Sequence, residues 1–594
     1  MTTHSPATTA DLHYRIEAAD LHAHYYQVSF TIARPTASQR VTLPVWIAGS
    51  YLVREFSRHL LQLGATQDGA TVPMRQLDKN HWQADCSAGS PLVLHYRVCA
   101  QDASVRTAWL DAQRGFFNAT SVCLQAEGTD GQPCTVDIAP PQAAAAAAWQ
   151  CATALQPLAV DTRGFGRYRA DDYDQLADSP VEMAPFISAD FEARGVPHRL
   201  VISGAAPTLD LQRLVADTRA ICEAAIDLWH PDGEAPPFGH YLFLLNATDD
   251  GYGGLEHRYS TALIANRRDL PRLGEAGTGD GYIQLLGLIS HEYFHTWNVK
   301  RLRPQEFARY DWQRENYTEL LWFFEGFTSY YDDLLLRRAR LIGDAAYLKL
   351  LAKTANQVLQ TPGRRVQSVA QASFDAWIRY YRPDASTPNT TVSYYTKGAL
   401  VALCLDLSLR SEGAATLDDV MRALWQRCSG GPMTEADLLA VLQALTGRGW
   451  QQEIADWVHG TGELPLATVL AAQGVALKAD TPQPAQRLGL RVREHGGIHV
   501  THVLAGGAAE QAGLMAGDEW LGVELDSQGW RLRTLADLAL VAGSAREVTA
   551  LVARDARLLH LALALPPATA GADTIVLEVA DGARAQAWLA GASL

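Results

Sequence analysis

The sequence predicts a multidomain α+β protein, and three observations lead there. The first third alternates apolar and polar residues and is rich in aromatics, which reads as β structure. From about residue 315 to 460 nearly every segment has helical periodicity. At 594 residues the chain exceeds what one core organises, so three or four domains are expected.

Residues 10–203 form the expected N-terminal β domain. Period-two patterns such as Tyr25-Tyr26-Gln27-Val28-Ser29-Phe30-Thr31-Ile32 and Val93-Leu94-His95-Tyr96-Arg97-Val98 place alternate side chains on opposite sheet faces. Ala143 to Ala148 is a low-complexity run, a short helix or a surface loop. Residues 204–312 begin with a helical pattern from Leu209 to Trp229 and pass through a strand at Tyr241-Leu242-Phe243-Leu244-Leu245. They then reach an apolar run, Tyr282 to Ile289, that predicts a buried helix. Residues 313–475 read as helical, most clearly at Tyr347 to Leu359, Tyr395 to Leu409 and Thr434 to Leu445. Residues 568–594 are a C-terminal tail with no assigned role.

Composition narrows the function classes. A formal charge of -15 and a pI near 5.6 argue against a nucleic-acid partner, because phosphate binding relies on a basic face. No stretch of eighteen apolar residues occurs, so no membrane span is expected. Met1 to Ala7 has neither a basic start nor an apolar core, and the eight scattered cysteines form no C-x-x-C pair. Both features predict a cytoplasmic protein with reduced thiols. Small peptides suit this chain as partners; its oligomeric state is not encoded in any pattern we recognise.

His291-Glu292-Tyr293-Phe294-His295 follows directly on the apolar run. Residues four apart stand one helical turn from each other, so both imidazoles can close on a single metal ion. Glu292 would then project beside the metal, placed to take a proton from an attacking water and return it to a leaving amine. Glu325 is the third candidate ligand. It sits among Leu320, Leu321, Trp322, Phe323, Phe324 and Phe327, where an unpaired carboxylate would carry a desolvation cost of several kcal/mol that coordination offsets. As a first-turn helix acid it would instead be favoured by the helix dipole. Three protein ligands leave one tetrahedral position open, as a catalytic zinc requires, so one zinc per chain is predicted. Cobalt or manganese fit the same ligands in vitro. Such a site needs neutral imidazoles, so activity should fall below about pH 6.

Four segments carry a family resemblance: Trp46 to Phe56 (WIAGSYLVREF), Gly115 to Ser121 (GFFNATS), His291 to Pro304 (HEYFHTWNVKRLRP), which extends the histidine motif, and Ser393 to Gly398 (SYYTKG). With the histidine pair and Glu325 they resemble the glycyl aminopeptidases, gluzincin metallopeptidases that carry a PDZ domain. The resemblance implies an N-terminal β domain, a thermolysin-like zinc lobe with a helical lobe, and a C-terminal PDZ-like β domain. Tyr395 would donate a hydrogen bond to the oxyanion, with Tyr394 its rival; the residues alone fit equally a Tyr packed at a helix start. Gly253-Gly254-Leu255-Glu256-His257 resembles the G-x-M-E-N exopeptidase motif, with Leu for Met and His for Asn. Glu256 would hold the substrate's free amino group, and Arg258 to Ile264 has the strand character of an edge for its backbone. A solvated acid in a turn is the plainer reading of Glu256.

Twenty-nine residues separate His295 from Glu325, longer than in the related large aminopeptidases, so an insertion is expected there. Its basic start, Lys300-Arg301-Leu302-Arg303-Pro304, suits surface ion pairs better than a peptide carboxylate. Val503 to Asp518 resembles the PDZ signature, which implies a PDZ-like β module over 485–567, with Arg487-Leu488-Gly489-Leu490 as the loop that would hold a peptide C-terminus. The expectation is a zinc aminopeptidase, its Gly/Ala preference implied by the resemblance. A PDZ-guided endopeptidase and a PDZ scaffold with an inactive site are the alternatives.

Overall fold

The computed structural model describes residues 11–567 and 574–591. Met1 to Ala7, read above for a leader, lies outside the described residues, as do 568–573 and 592–594 of the expected tail. The chain folds as two compact units, Met1–Asn316 with Gly430–Pro432, and Tyr317–Ser429 with Met433–Leu594.

The first unit opens with the expected β structure. Its largest sheet has eight strands, centred on Leu12–Asp20, Tyr25–Ile32 and Leu92–Cys99. In Tyr25–Ile32 the even-numbered residues Tyr26, Val28, Phe30 and Ile32 are buried and the odd-numbered ones half-exposed, as a period of two dictates. Register follows from that face: Ile16 pairs with Val28, and Tyr14 stacks on Phe30 at 4.2 Å. Two four-stranded sheets complete the region, and the alanine run is a short 3-10 turn, Ala144–Ala146.

A separate five-stranded sheet runs in the order Ile187–Ala193, Val196–Ser203, Tyr241–Thr248, Ser260–Asn266, Gly253–Glu256. Its first two strands lie upstream of the 204 boundary expected from sequence. Alternation identifies a strand, but which sheet it joins depends on distant partners. Gly253–Glu256 is antiparallel to Ser260–Asn266 and forms the sheet edge, so the strand expected from Arg258 to Ile264 is not the edge: it is paired on both sides, with Tyr241–Thr248 and with Gly253–Glu256. On this sheet packs the helix Asp280–Phe294, buried along Tyr282, Leu285, Leu286, Ile289 and Tyr293. The helix Leu211–Trp229, capped by the Asp210 side chain, buries Leu214, Ile221, Cys222, Ala225 and Trp229 on one stripe.

The second unit is helical around Tyr394–Glu412, which starts at a Ser393 cap and ends at Gly413 in the left-handed region. Gly326 and Gly398 bring two of its helices into backbone contact: a Cβ on Gly326 would lie 2.5 Å from Gly398 Cα. That approach sets Glu325 beside the first turn of the central helix. A six-stranded sheet spanning Leu490 to Ala564 closes over Leu490, Ile498, Val500, Trp520, Val523 and Val552. The described part of the tail is well integrated. Ile575–Val579 pairs antiparallel with Val475–Ala479, and helix Gly582–Leu589 seats Trp588 with its Nε1 donating to Tyr330 Oη at 3.0 Å.

Candidate metal centre

The histidine helix places His291 and His295 with ring centroids 4.6 Å apart and Nε2 atoms 3.1 Å apart. Nδ1 of His295 bonds the carbonyl of Asn298 at 2.8 Å. Nδ1 therefore carries the proton, and the Nε2 lone pair faces His291. Glu325 occupies the junction between Leu321–Phe324 and Gly326–Arg338 and is 2% exposed. One ligand atom from each of His291, His295 and Glu325 lies within 4.8 Å of the other two. This donor set fits a metal. Two nitrogens at about 2.05 Å on a tetrahedral zinc would stand about 3.3 Å apart, close to the separation found.

Glu292 is buried, and it rests against the sheet edge at Gly254, where a Cβ would lie 2.1 Å from its Oε1. Gly254 and Glu256, two apart on one strand, share a face. Glu256 is 4% exposed and lies beneath Gly49, whose added Cβ would fall 2.5 Å from both carboxylate oxygens. Gly253 lies beside Arg106, which donates to Gly254 O at 3.2 Å. The structure thus gathers Gly253, Gly254, Glu256 and Glu292 along one edge. Glu256 is buried rather than solvated.

Tyr395 lies on the first turn of the central helix, packed against Tyr394 at 4.8 Å and Tyr380 at 5.3 Å, which also touch each other at 4.9 Å. It is part-exposed, whereas Tyr394 is fully buried. Burial, and then the Glu325 carboxylate, push the Tyr395 phenol well above its ordinary pKa, so it remains a hydrogen-bond donor.

The basic stretch departs from its expectation. Lys300 is 3% exposed and pairs with Asp178 at 2.6 Å. Arg301 donates inward to the carbonyls of Thr296, Arg258 and Pro237, at 2.7, 3.2 and 3.1 Å. These cations brace the loop after the histidine helix instead of lying on the surface. Sequence reasoning also missed Gly49, Arg106 and Asp178, because each reaches the site from far along the chain. His198 was missed for the same reason: its Nδ1 donates to Val196 O and its Nε2 accepts from Tyr293 Oη at 2.9 Å, fastening the histidine helix to the sheet.

Residues 13–185 match the Peptidase M61 N-terminal domain, and residues 284–401 match the M61 glycyl aminopeptidase domain. A crystal structure described as an aminopeptidase N family protein from Idiomarina loihiensis superposes with a TM-score of 0.92 at 36% identity, covering 97% of this chain and 100% of its own. A Legionella pneumophila aminopeptidase A in complex with aspartic acid is far more distant, at 12% identity and a TM-score of 0.49, covering 76% of this chain and 49% of its own. From the first of these likenesses and both domain matches, the chain belongs to the M61 glycyl aminopeptidase family.

Proposed function

We propose that this peptidase is a zinc-dependent aminopeptidase that removes small N-terminal residues, Gly and Ala first, from peptides. The observation that carries the reading is the pairing of Glu256 and Glu292 on one side of an open strand edge, the first carboxylate buried under Gly49. A buried acid recognises an ammonium by charge and excludes an internal amide. An endopeptidase has no use for it.

His291, His295 and Glu325 would hold the metal, one ion per chain. When bound, zinc supplies Lewis-acid polarisation of the scissile carbonyl and lowers the pKa of water. Glu256 anchors the α-ammonium, and the exposed edge of Gly253–Glu256 offers its backbone groups to the substrate chain. Glu292, fixed against Gly254, takes the proton of the attacking water and returns it to the departing amine. Tyr395 Oη donates to the developing oxyanion, a contribution on the order of 3 kcal/mol in comparable sites.

We read residues 485–567 as a PDZ-like module with a supporting role. The amides of Arg487 and Gly489, in the loop that would receive a peptide carboxylate, donate to Gln483 O and Gln486 O at 3.1 and 3.2 Å. Asn389 engages Val503 O and Ala505 N at 2.8 and 2.9 Å, which ties the module to the helices. Eight free cysteines agree with a reducing, cytoplasmic setting.

The test is hydrolysis of matched free and N-acetylated Gly-, Ala- and Leu-peptides, with Glu292→Ala and chelator-treated protein as controls. We expect chelator-sensitive, Glu292-dependent cleavage of the free peptides alone, fastest for Gly and Ala. Equal cleavage of acetylated peptides would overturn the aminopeptidase reading in favour of an endopeptidase, and no cleavage of any peptide would overturn both.

A further inference from the structure

Asp178 stands behind the amino-group pocket, at the end of the short helix Tyr173–Ala177. Its carboxylate accepts from Lys300 Nζ at 2.6 Å, from His257 Nδ1 at 3.2 Å and from the Arg258 amide at 2.8 Å. His257 and Arg258 immediately follow Glu256 and form the turn into the next strand, closed by His257 N donating to Ser260 O. Lys300 reaches this point from the loop after the histidine helix, its own amide held by His295 O at 3.1 Å. Ile47, Ala48, Tyr310 and Trp312 wall the cluster around a cavity of about 20 Å³, room for one water.

The charges decide what this arrangement does. Burial alone would raise the Asp178 carboxyl, yet Lys300, His257 and Arg258 hold it well below the usual carboxylate range. Burial would likewise lower Lys300, yet Asp178, Tyr310 and Glu256 raise it. Lys300 is therefore a permanent cation within the field of two acids, Asp178 and Glu256. A buried ammonium attracted to Glu256 competes with the substrate's own ammonium for that carboxylate.

We propose that Asp178 is a positioning residue that sequesters Lys300 and pins the 257–258 turn, keeping the Glu256 carboxylate in place and available for the substrate's amino group. Without Asp178, Lys300 turns to the remaining acid and the site inhibits itself. This rests on the reading of Glu256 as the amino-group anchor. It adds a requirement which that reading alone does not contain: loss of Asp178 is repaired by loss of Lys300.

The experiment is steady-state kinetics on a free Ala-peptide with the full-length wild type, Asp178→Asn, Lys300→Met, the double variant, Glu256→Gln, and Glu256→Gln combined with Asp178→Asn. Bound metal and melting temperature are measured for each. We expect Asp178→Asn to raise KM at least about tenfold, the loss of one hydrogen bond to a charged group, with kcat within about threefold. The double variant should return KM to within about threefold of wild type, and Asp178→Asn should add nothing to KM in the Glu256→Gln background. An unchanged KM in metal-loaded Asp178→Asn, or a double variant no better than the single one, would overturn the proposal. If Glu256→Gln raises KM while Asp178→Asn does not, the positioning role alone falls; if Glu256→Gln leaves KM unchanged, the anchor falls and takes the positioning role with it. Should Asp178→Asn not fold, Lys300→Met and the double variant must both stay within threefold of the wild-type KM, and a tenfold rise in either overturns the proposal.

Discussion

A methyl group on Gly254 would sit 2.1 Å from Oε1 of Glu292, nearer than any non-bonded contact allows, so Gly254→Ala must move either the carboxylate or the strand. We expect kcat to fall about 100-fold, the lower end of what a positioned general base contributes, with bound metal and melting temperature near wild type. A kcat within threefold of wild type would mean that Glu292 needs no such seat. The grouping of His291 and His295 was legible in the sequence because residues four apart share a helix face, and that of Glu325 because an acid among aromatics calls for a partner. The role of Gly254 was not legible. Its motif suggested a segment that binds the substrate's amino group, but only the fold shows that the missing side chain admits the carboxylate. Gly49 against Glu256 and Asp178 against Lys300 join residues 207 and 122 positions apart, beyond the reach of any local period.

The sheet and the histidine helix meet at His198 and Tyr293, and that junction has a pH dependence of its own. Burial lowers the His198 imidazole from 6.5 to about 4, and in the neutral ring Nδ1 donates to Val196 O while Nε2 accepts from Tyr293 Oη. Below pH 6.5 the unfolded chain takes up a proton that folded His198 refuses, so stability falls with falling pH and reaches its full loss near pH 4. The gap corresponds to about 3 kcal/mol. His198→Gln keeps an acceptor for Tyr293 and removes the titration, so its urea midpoint should vary less than wild type between pH 7 and pH 4.5. Parallel slopes for the two proteins would exclude His198 as the source. At this scale the buried strands and the helix Leu211–Trp229 followed from hydrophobic period, whereas the membership of Ile187–Ala193 and Val196–Ser203 did not. Val196–Ser203 joins this sheet by its parallel pairing with Tyr241–Thr248, and Ile187–Ala193 joins it only through its hairpin with Val196–Ser203.

For the molecule as a whole, the order of β, mixed and helical regions was readable because each has its own period, while the docking of the last helix was not. Nothing in Gly582–Leu589 announces that Trp588 will bond Tyr330, which in turn donates to Asp406 at 2.6 Å. No described helix is long and apolar enough to cross a membrane. The candidate metal ligands give a stability prediction on the same scale. Glu325 is 2% exposed, and a buried carboxylate without a cation costs several kcal/mol. A cation that binds only the folded chain stabilises it by about 2.7 kcal/mol at 100 times its Kd. Stripping the protein with a chelator should therefore lower its melting temperature by a few degrees and abolish peptide cleavage, and added zinc should restore both. Glu325→Gln, which keeps the shape and removes the charge, should make the melting temperature insensitive to chelator and zinc alike. A wild-type melting curve that ignores chelator, in a sample shown by elemental analysis to have lost its metal, would separate the metal from stability and leave His291, His295 and Glu325 with a purely catalytic claim on it.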